Sequence, residues 1–110
     1  MTQFNKDMAS PYRSLFQEVR TFLLATKGIV ENQKPRITTF SDPNGGICHL
    51  RTMPHGIDIG FLKGSRMEDT FERLTGKGKA IRVLSLSDFD PNLVGYYLDQ
   101  AIRLNHQPET

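Results

Sequence analysis

Two phrases rich in glycine and lysine could bind an anion. They are Lys63-Gly64 and Gly76-Lys77-Gly78-Lys79, and Arg82 follows the second phrase three residues later. Glycines let backbone N–H groups approach an anion closely, and lysines add positive charge. The spacing differs from that of a nucleotide P-loop. We predict a pocket for a phosphate or carboxylate, with solvated lysines in plain turns as the alternative. The predicted lining residues are Lys63, Gly64, Lys77, Gly78, Lys79 and Arg82.

Three carboxylates suggest a second kind of chemistry. Glu68 and Glu72 are four residues apart, so they would share one face of a helix, and Asp69 lies beside them. Carboxylate oxygens are hard ligands that suit iron or magnesium. The cluster is therefore a candidate metal site, and a solvated acidic helix face is the alternative.

The remaining metal-ligating and nucleophilic residues do not form a known motif. Cys48 and His49 are neighbours in a predicted strand, so their side chains should point to opposite faces of the sheet. We expect Cys48 to be a small buried apolar group. The chain contains no Cys-x-x-Cys spacing and no Gly-x-Ser-x-Gly elbow. We expect a binding protein rather than an enzyme, and an active site assembled from distant residues stays open as an alternative.

Three strands joined by short turns are expected to position the first glycine–lysine phrase. Strands are predicted over residues 36–41, 47–53 and 56–64, the last with apolar residues at every second position. Turn residues separate them, which favours an antiparallel meander. Gly60 lies inside the third strand and indicates either a bulge or a close approach to the backbone.

Helices are expected before and after these strands. Ser10-Pro11 is a helix start, and Lys27-Gly28 is the matching end. Asp90-Pro91 starts a closing helix in the same way. Between them, apolar residues at i, i+4 and i+7 predict a helix over residues 66–74, and a strand follows at 80–86. Residues 1–9 and 106–110 are predicted to be loose termini, and residues 29–35 a connector.

Composition limits the classes of function. The chain has 110 residues, a formal net charge of +2 and a single cysteine. It is expected to form one domain in a reducing cytoplasm, with no membrane span and no signal peptide. The small net charge gives no reason to expect nucleic-acid binding, although local basic patches stay open.

The second half of the chain resembles the YdhG-like family of small bacterial proteins. The likeness rests on residues 55–64 (HGIDIGFLKG), on residues 76–82 (GKGKAIR) and on Gln100-Ala101-Ile102-Arg103 near the end. The resemblance implies an α+β fold in which a twisted antiparallel sheet of about four or five strands packs against N- and C-terminal helices. One branch of the family is described as frataxin-like, which implies iron as a ligand.

Together these observations favour a non-enzymatic binding or accessory protein with a basic pocket for a small anionic ligand. The alternative is an iron carrier of the frataxin-like type, in which Glu68, Asp69 and Glu72 would bind the metal. No other cofactor is expected. A protein partner and a homodimer are left open.

Overall fold

Six antiparallel strands form one sheet in this computed structural model, which describes residues 1–107. The strand order across the sheet is β1-β2-β3-β4-β6-β5. The strands are β1 Val30–Gln33, β2 Thr38–Asp42, β3 Gly45–Met53, β4 Gly56–Phe61, β5 Leu74–Thr75 and β6 Arg82–Leu86. The α+β class and the antiparallel meander are confirmed, and the sheet is wider than the four or five strands predicted.

Three helices accompany the sheet: α1 Gln3–Met8, α2 Arg13–Leu24 and α3 Pro91–Asn105. The start of α3 is confirmed, because the Asp90 carboxylate accepts hydrogen bonds from the N–H groups of Asn92 and Leu93. Helix α2 is shorter than predicted: it begins at Arg13, with Tyr12 and not Ser10 at the N-cap, and it ends at Leu24, so that Gly28 (φ 89°) lies in the turn that follows. None of the described helices is long and apolar enough to cross a membrane.

The core lies between one face of the sheet and the helices. Strand residues alternate, so Ile57, Ile59 and Phe61 of β4 point into the core and are fully buried. They belong to the same buried cluster as Phe16 of α2 and Tyr97 of α3. The apolar stripes of both helices therefore hold the central strands in place.

The first nine residues are not a loose leader, contrary to the prediction. They contain α1, and Asp7 in this helix is fully buried. Its Oδ1 accepts hydrogen bonds from the Thr52 amide at 2.9 Å and the Thr52 hydroxyl at 2.7 Å. The Gln3 side-chain amide donates a third bond at 2.9 Å. Phe4 and Met8 of this helix also pack against the core, but a six-residue helix is too short for its apolar spacing to indicate it in the sequence.

The helix predicted over residues 66–74 is wrong. A single 3-10 turn, Gly64–Arg66, is followed by irregular chain and then by β5, which pairs with β6. The Asp69 carboxylate accepts hydrogen bonds from the Arg73 and Leu74 amides, and this closes a tight turn. Glu72 has a left-handed φ of 55°, which an α-helix cannot contain. The hydrogen bonds between the Asp69 side chain and nearby amides therefore determine the local structure, and the apolar spacing does not.

Smaller corrections concern the ends of the strands and the chain. The connector predicted at 29–35 contains β1, and the strands predicted at 36–41, 56–64 and 80–86 are observed at the narrower or shifted bounds given above. At the C-terminal end, the His106 amide bonds to the Arg103 carbonyl at 3.1 Å and completes the last turn of α3. Residues 108–110 of the predicted loose tail lie outside the described residues.

Candidate functional site

The two glycine–lysine phrases lie against each other. A Cβ at Gly64 would lie 2.5 Å from the Arg82 Cβ and 2.7 Å from its backbone nitrogen, so only glycine allows this approach. Beside it, the Ser65 amide donates to the Ala80 carbonyl at 2.8 Å, and the Ser65 hydroxyl donates to the Lys79 carbonyl at 3.0 Å. The 3-10 turn and the loop 76–81 therefore form one unit.

The charged residues of this unit have different surroundings. The Arg82 Nη1 donates to the carbonyls of Gly78 at 2.7 Å and Ile81 at 2.9 Å, so this guanidinium folds its own loop. Lys77 and Lys79 are exposed, and Lys63 is half-buried. Within residues 1–107, none of the three lysines takes part in an ion pair. The charges of these three lysines are therefore not neutralised by a carboxylate among residues 1–107.

A cleft of about 300 Å³ lies between α3 and the chain that follows the 3-10 turn. It shares Arg66 with that turn, so it adjoins the glycine–lysine unit. The lining residues are Arg66, Glu68, Tyr96, Gln100, Arg103, Leu104 and Gln107. None of the six residues predicted to bind an anion lines it. Among them, only Gly64 belongs to the same turn.

Side chains of α3 fix the opposite wall of the cleft. The buried Gln100 side chain accepts from the Glu68 amide at 2.8 Å and donates to the Glu68 carbonyl at 3.0 Å. The Tyr96 hydroxyl donates to Thr70 Oγ1 at 2.9 Å. Because these bonds join an irregular segment to a long helix, the wall keeps its shape without regular secondary structure of its own.

Two arginines give the cleft its charge. Arg66 and Arg103 are both exposed, and neither pairs with a carboxylate in the part of the chain that the structure describes. Glu68 is the single acidic residue in the lining. A guanidinium offers a planar fork of donors that matches a carboxylate or phosphate. The cleft can therefore hold an anion by charge and by geometry.

Sequence reasoning missed both arginines. Arg66 lies in a segment whose apolar spacing predicts a helix that does not form, and Arg103 belongs to one of the motifs that carry the YdhG-like resemblance. One available signal was the spacing of three between Gln100 and Arg103, which puts them on the same side of a helix. The contact of that side with residues 66–68 depends on tertiary structure, and no local pattern reports it.

The acidic residues predicted to bind metal do not share a helix face, since that helix is absent. Burial raises the pKa of Asp69, but hydrogen bonds from the Tyr97 hydroxyl at 2.5 Å and from two amides outweigh it and hold the pKa below its usual value. Glu72 is exposed in the left-handed turn. Among residues 1–107 there is no group of three potential ligands that could hold a metal ion. Iron binding stays a prediction.

The predicted behaviour of residues 48–60 is confirmed. Cys48 is fully buried in the core, and burial raises the pKa of its thiol to about 12. On the other face of the sheet, the His49 ring lies over Gly60, where an added Cβ would come within 2.1 Å of it. This is the close approach to the backbone that an interior glycine indicates. Burial, with a smaller effect from Arg51, lowers the pKa of His49 and so favours the neutral imidazole.

Comparison with known proteins gave no match among family models, curated proteins or solved structures. The resemblance to the YdhG-like family therefore stays a prediction that rests on the motifs quoted above.

Proposed function

We propose that this protein is a binding or accessory protein for a small anionic ligand and that the ligand occupies the cleft between Arg66 and Arg103. The observation that carries the proposal is the presence of two arginines in one cleft of about 300 Å³, with no ion-pair partner for either among residues 1–107. Because no carboxylate of the described residues neutralises either guanidinium, an anion in this cleft would be attracted by both charges.

The ligand class follows from the donors that face the cleft. Arg66 and Arg103 offer paired N–H groups, which suit the two oxygens of a carboxylate or phosphate. Gln100 lines the same cleft, but its side-chain amide is bonded to the Glu68 backbone, so it supports the wall and is not available to the ligand. A compact ligand that carries one or two such anionic groups fits this arrangement.

In this proposal the predicted glycine–lysine site lies beside the cleft and assists binding there. Gly64 and Arg82 fold the loop 76–81 against the 3-10 turn, and the exposed Lys77 and Lys79 raise the positive potential of that end of the molecule. Such a potential speeds the arrival of an anion more than it strengthens the final contact. The proposal keeps the predicted cytoplasmic setting and YdhG-like membership, and it involves no catalytic step.

The test is a calorimetric titration of the protein with inorganic phosphate, pyrophosphate and malonate. We expect at least one of these anions to bind and to raise the melting temperature. Arg66→Gln and Arg103→Gln should each weaken that binding about tenfold or more, because a hydrogen bond to a charged group is worth about 1.5–3 kcal/mol. Arg13→Gln, on the exposed surface of α2, is the matched control and should bind like the native protein.

The lysines provide a second arm of the same experiment. Neutralising Lys77 and Lys79 together should weaken binding only at low salt, because exposed charges are screened at about 0.15 M ionic strength. Binding that is insensitive to both arginines and lost on changing the lysines would move the site to the loop. Binding unaffected by any of the four changes would refute the proposal.

A further inference from the structure

A second cavity, of about 340 Å³, lies at the other end of the irregular segment, beside the start of α3. Its lining residues are Phe71, Arg73, Asp90, Asn92 and Leu93, and none of them lines the arginine cleft. We propose that this cavity binds a small zwitterion with an apolar side chain, of the class of a free hydrophobic amino acid. This site is separate from the anion site proposed above.

Opposite charges in one cavity are the first argument. Arg73 and Asp90 both line it, yet they do not form an ion pair with each other. One Arg73 nitrogen, Nη2, donates to the Ser85 carbonyl at 3.1 Å, which anchors the guanidinium and leaves its other donors available. A ligand carboxylate can bind these remaining donors.

Asp90 provides the complementary group. Its Oδ1 caps α3 by accepting from the Asn92 and Leu93 amides at 3.0 and 3.3 Å. No hydrogen bond to its Oδ2 is found within residues 1–107, so this oxygen can accept one from a ligand ammonium group. A zwitterion would satisfy the arginine and the aspartate together, whereas a simple cation or anion would satisfy one and be repelled by the other.

The apolar part of the lining is the second argument. Phe71 is 53% exposed, which is a large solvent-facing area for a phenylalanine. Its ring packs edge-on against Tyr96, with centroids 5.0 Å apart and an interplanar angle of 87°, so it is held rather than free. Leu93 adds a buried aliphatic surface at the same cavity. An apolar ligand side chain would cover both.

The turn that carries Phe71 and Arg73 is organised before any ligand arrives. The Arg73 amide donates to the Asp69 carboxylate at 2.9 Å, and Asp69 is in turn held by the buried Tyr97. Glu72, between the two cavity residues, keeps a left-handed φ of 55° at a conformational cost. The fold thus maintains an unfavourable backbone geometry that directs an aromatic ring and a guanidinium to one cavity.

The size of the cavity sets the size of the ligand. Ligand pockets usually range over about 300–1,000 Å³, so this one is at the small end. A single amino acid fills such a volume, and a long peptide does not.

The test is an NMR titration of the ¹⁵N-labelled protein with three probes. L-phenylalanine carries both charges, 3-phenylpropanoate lacks the ammonium group, and phenethylamine lacks the carboxylate. We expect saturable shifts at the Asn92 and Leu93 amides with L-phenylalanine, and binding at least tenfold weaker with either analogue. Equal binding of L-phenylalanine and one of the analogues would overturn the zwitterion assignment, and so would the absence of saturable shifts.

Two charge-removing variants assign each end of the ligand. Arg73→Gln should weaken binding of L-phenylalanine at least tenfold and should strengthen binding of phenethylamine, because it removes the charge that repels this cation. Asp90→Asn keeps an oxygen that caps α3, so the helix start survives, and it should weaken L-phenylalanine but not 3-phenylpropanoate. Arg66→Gln, in the other cleft, is the control and should change nothing at Asn92 and Leu93. If Arg66→Gln abolishes the shifts, the probes bind at the arginine cleft and this proposal fails, while the proposed anion site is supported.

Discussion

Two consecutive segments without regular structure carry the candidate chemistry, and the fold holds them in different ways. Residues 67–73 are fixed from outside by α3, through Tyr96, Tyr97 and Gln100. The loop 76–81 is folded mainly from within, by the Arg82 guanidinium, and it touches the rest of the molecule through the 3-10 turn at Ser65.

Because they are held differently, residues 67–73 and the loop 76–81 suit different kinds of site. The first segment is tied to buried residues of the core, so its geometry shares the stability of the whole domain. The loop is held by one partly buried arginine and by the bonds to Ser65, and its lysines are exposed, so we expect it to open locally at lower cost. A wall tied to the core suits selective binding, and an exposed charged loop suits attraction of a ligand. Four measurements test this comparison.

The largest effect is expected where the 3-10 turn packs against Arg82, the residue that holds the loop 76–81. Gly64→Ala puts a Cβ within 2.7 Å of the Arg82 backbone nitrogen, which cannot move as a flexible side chain would. We expect chemical denaturation to show a loss of about 2–3 kcal/mol, the range of overpacking in a dense region. Gly78→Ala is the control, because nothing lies within 4 Å of the position of its Cβ. Similar losses for both variants would show that the contact between Gly64 and Arg82 is not tightly packed.

The next effect tests the external support of residues 67–73. Tyr97→Phe removes the hydroxyl that donates to Asp69 at 2.5 Å and leaves the core packing in place. Loss of this charge-assisted bond should cost about 1.5–3 kcal/mol in the free energy of unfolding. Amide exchange should also rise at Arg73 and Leu74. Unchanged exchange at these amides would mean that Asp69 holds the turn without help from α3.

A smaller effect is expected from the internal support of the loop. Arg82→Gln removes the bonds from Nη1 to the carbonyls of Gly78 and Ile81. Because these carbonyls can turn to water, we expect the unfolding free energy to fall by only about 0.5–1 kcal/mol. Fast backbone motion should increase in residues 76–81 alone. If motion also increases in residues 67–73, the two segments are coupled and the comparison fails.

The smallest effect concerns pH. The pKa of Asp69 is lower in the folded protein than its usual value, so the unfolded chain takes up a proton first as the pH falls. The stability that Asp69 contributes is therefore complete above about pH 4, near the ordinary aspartate pKa, and is lost at lower pH. Urea denaturation between pH 5 and pH 2 should show a steeper decline for the native protein than for Asp69→Asn. Parallel curves would contradict the assignment.

Some parts of this fold follow from local rules and others do not. Helix α3 could be predicted because Asp90-Pro91 caps it and its apolar residues repeat at helical spacing. The β2–β3–β4 meander could be predicted from the alternation of apolar and polar residues and from the turn residues between the strands. The helix prediction for residues 66–74 fails although their apolar period matches a helix. The hydrogen bonds of the Asp69 side chain and the pairing of Leu74 with Leu84 determine the structure there.

The candidate sites were predicted less well than the fold. Glycines and lysines mark the loop 76–81 in the sequence, but the cavities form where α3 meets residues 66–73. Arg66 and Arg103, or Arg73 and Asp90, come together only through long-range packing. The spacing of residues along the chain does not predict those long-range contacts. The sequence therefore identifies the charged residues but not which of them line the same cavity.

The hydrogen bonds of Asp7 have a consequence for the order in which the chain can fold during synthesis. Its carboxylate meets Thr52, which is 45 residues further along. A ribosome therefore releases α1 long before its binding surface on β3 exists. A six-residue helix is too short to persist alone, so α1, although it is made well before β3, must be among the last elements to settle.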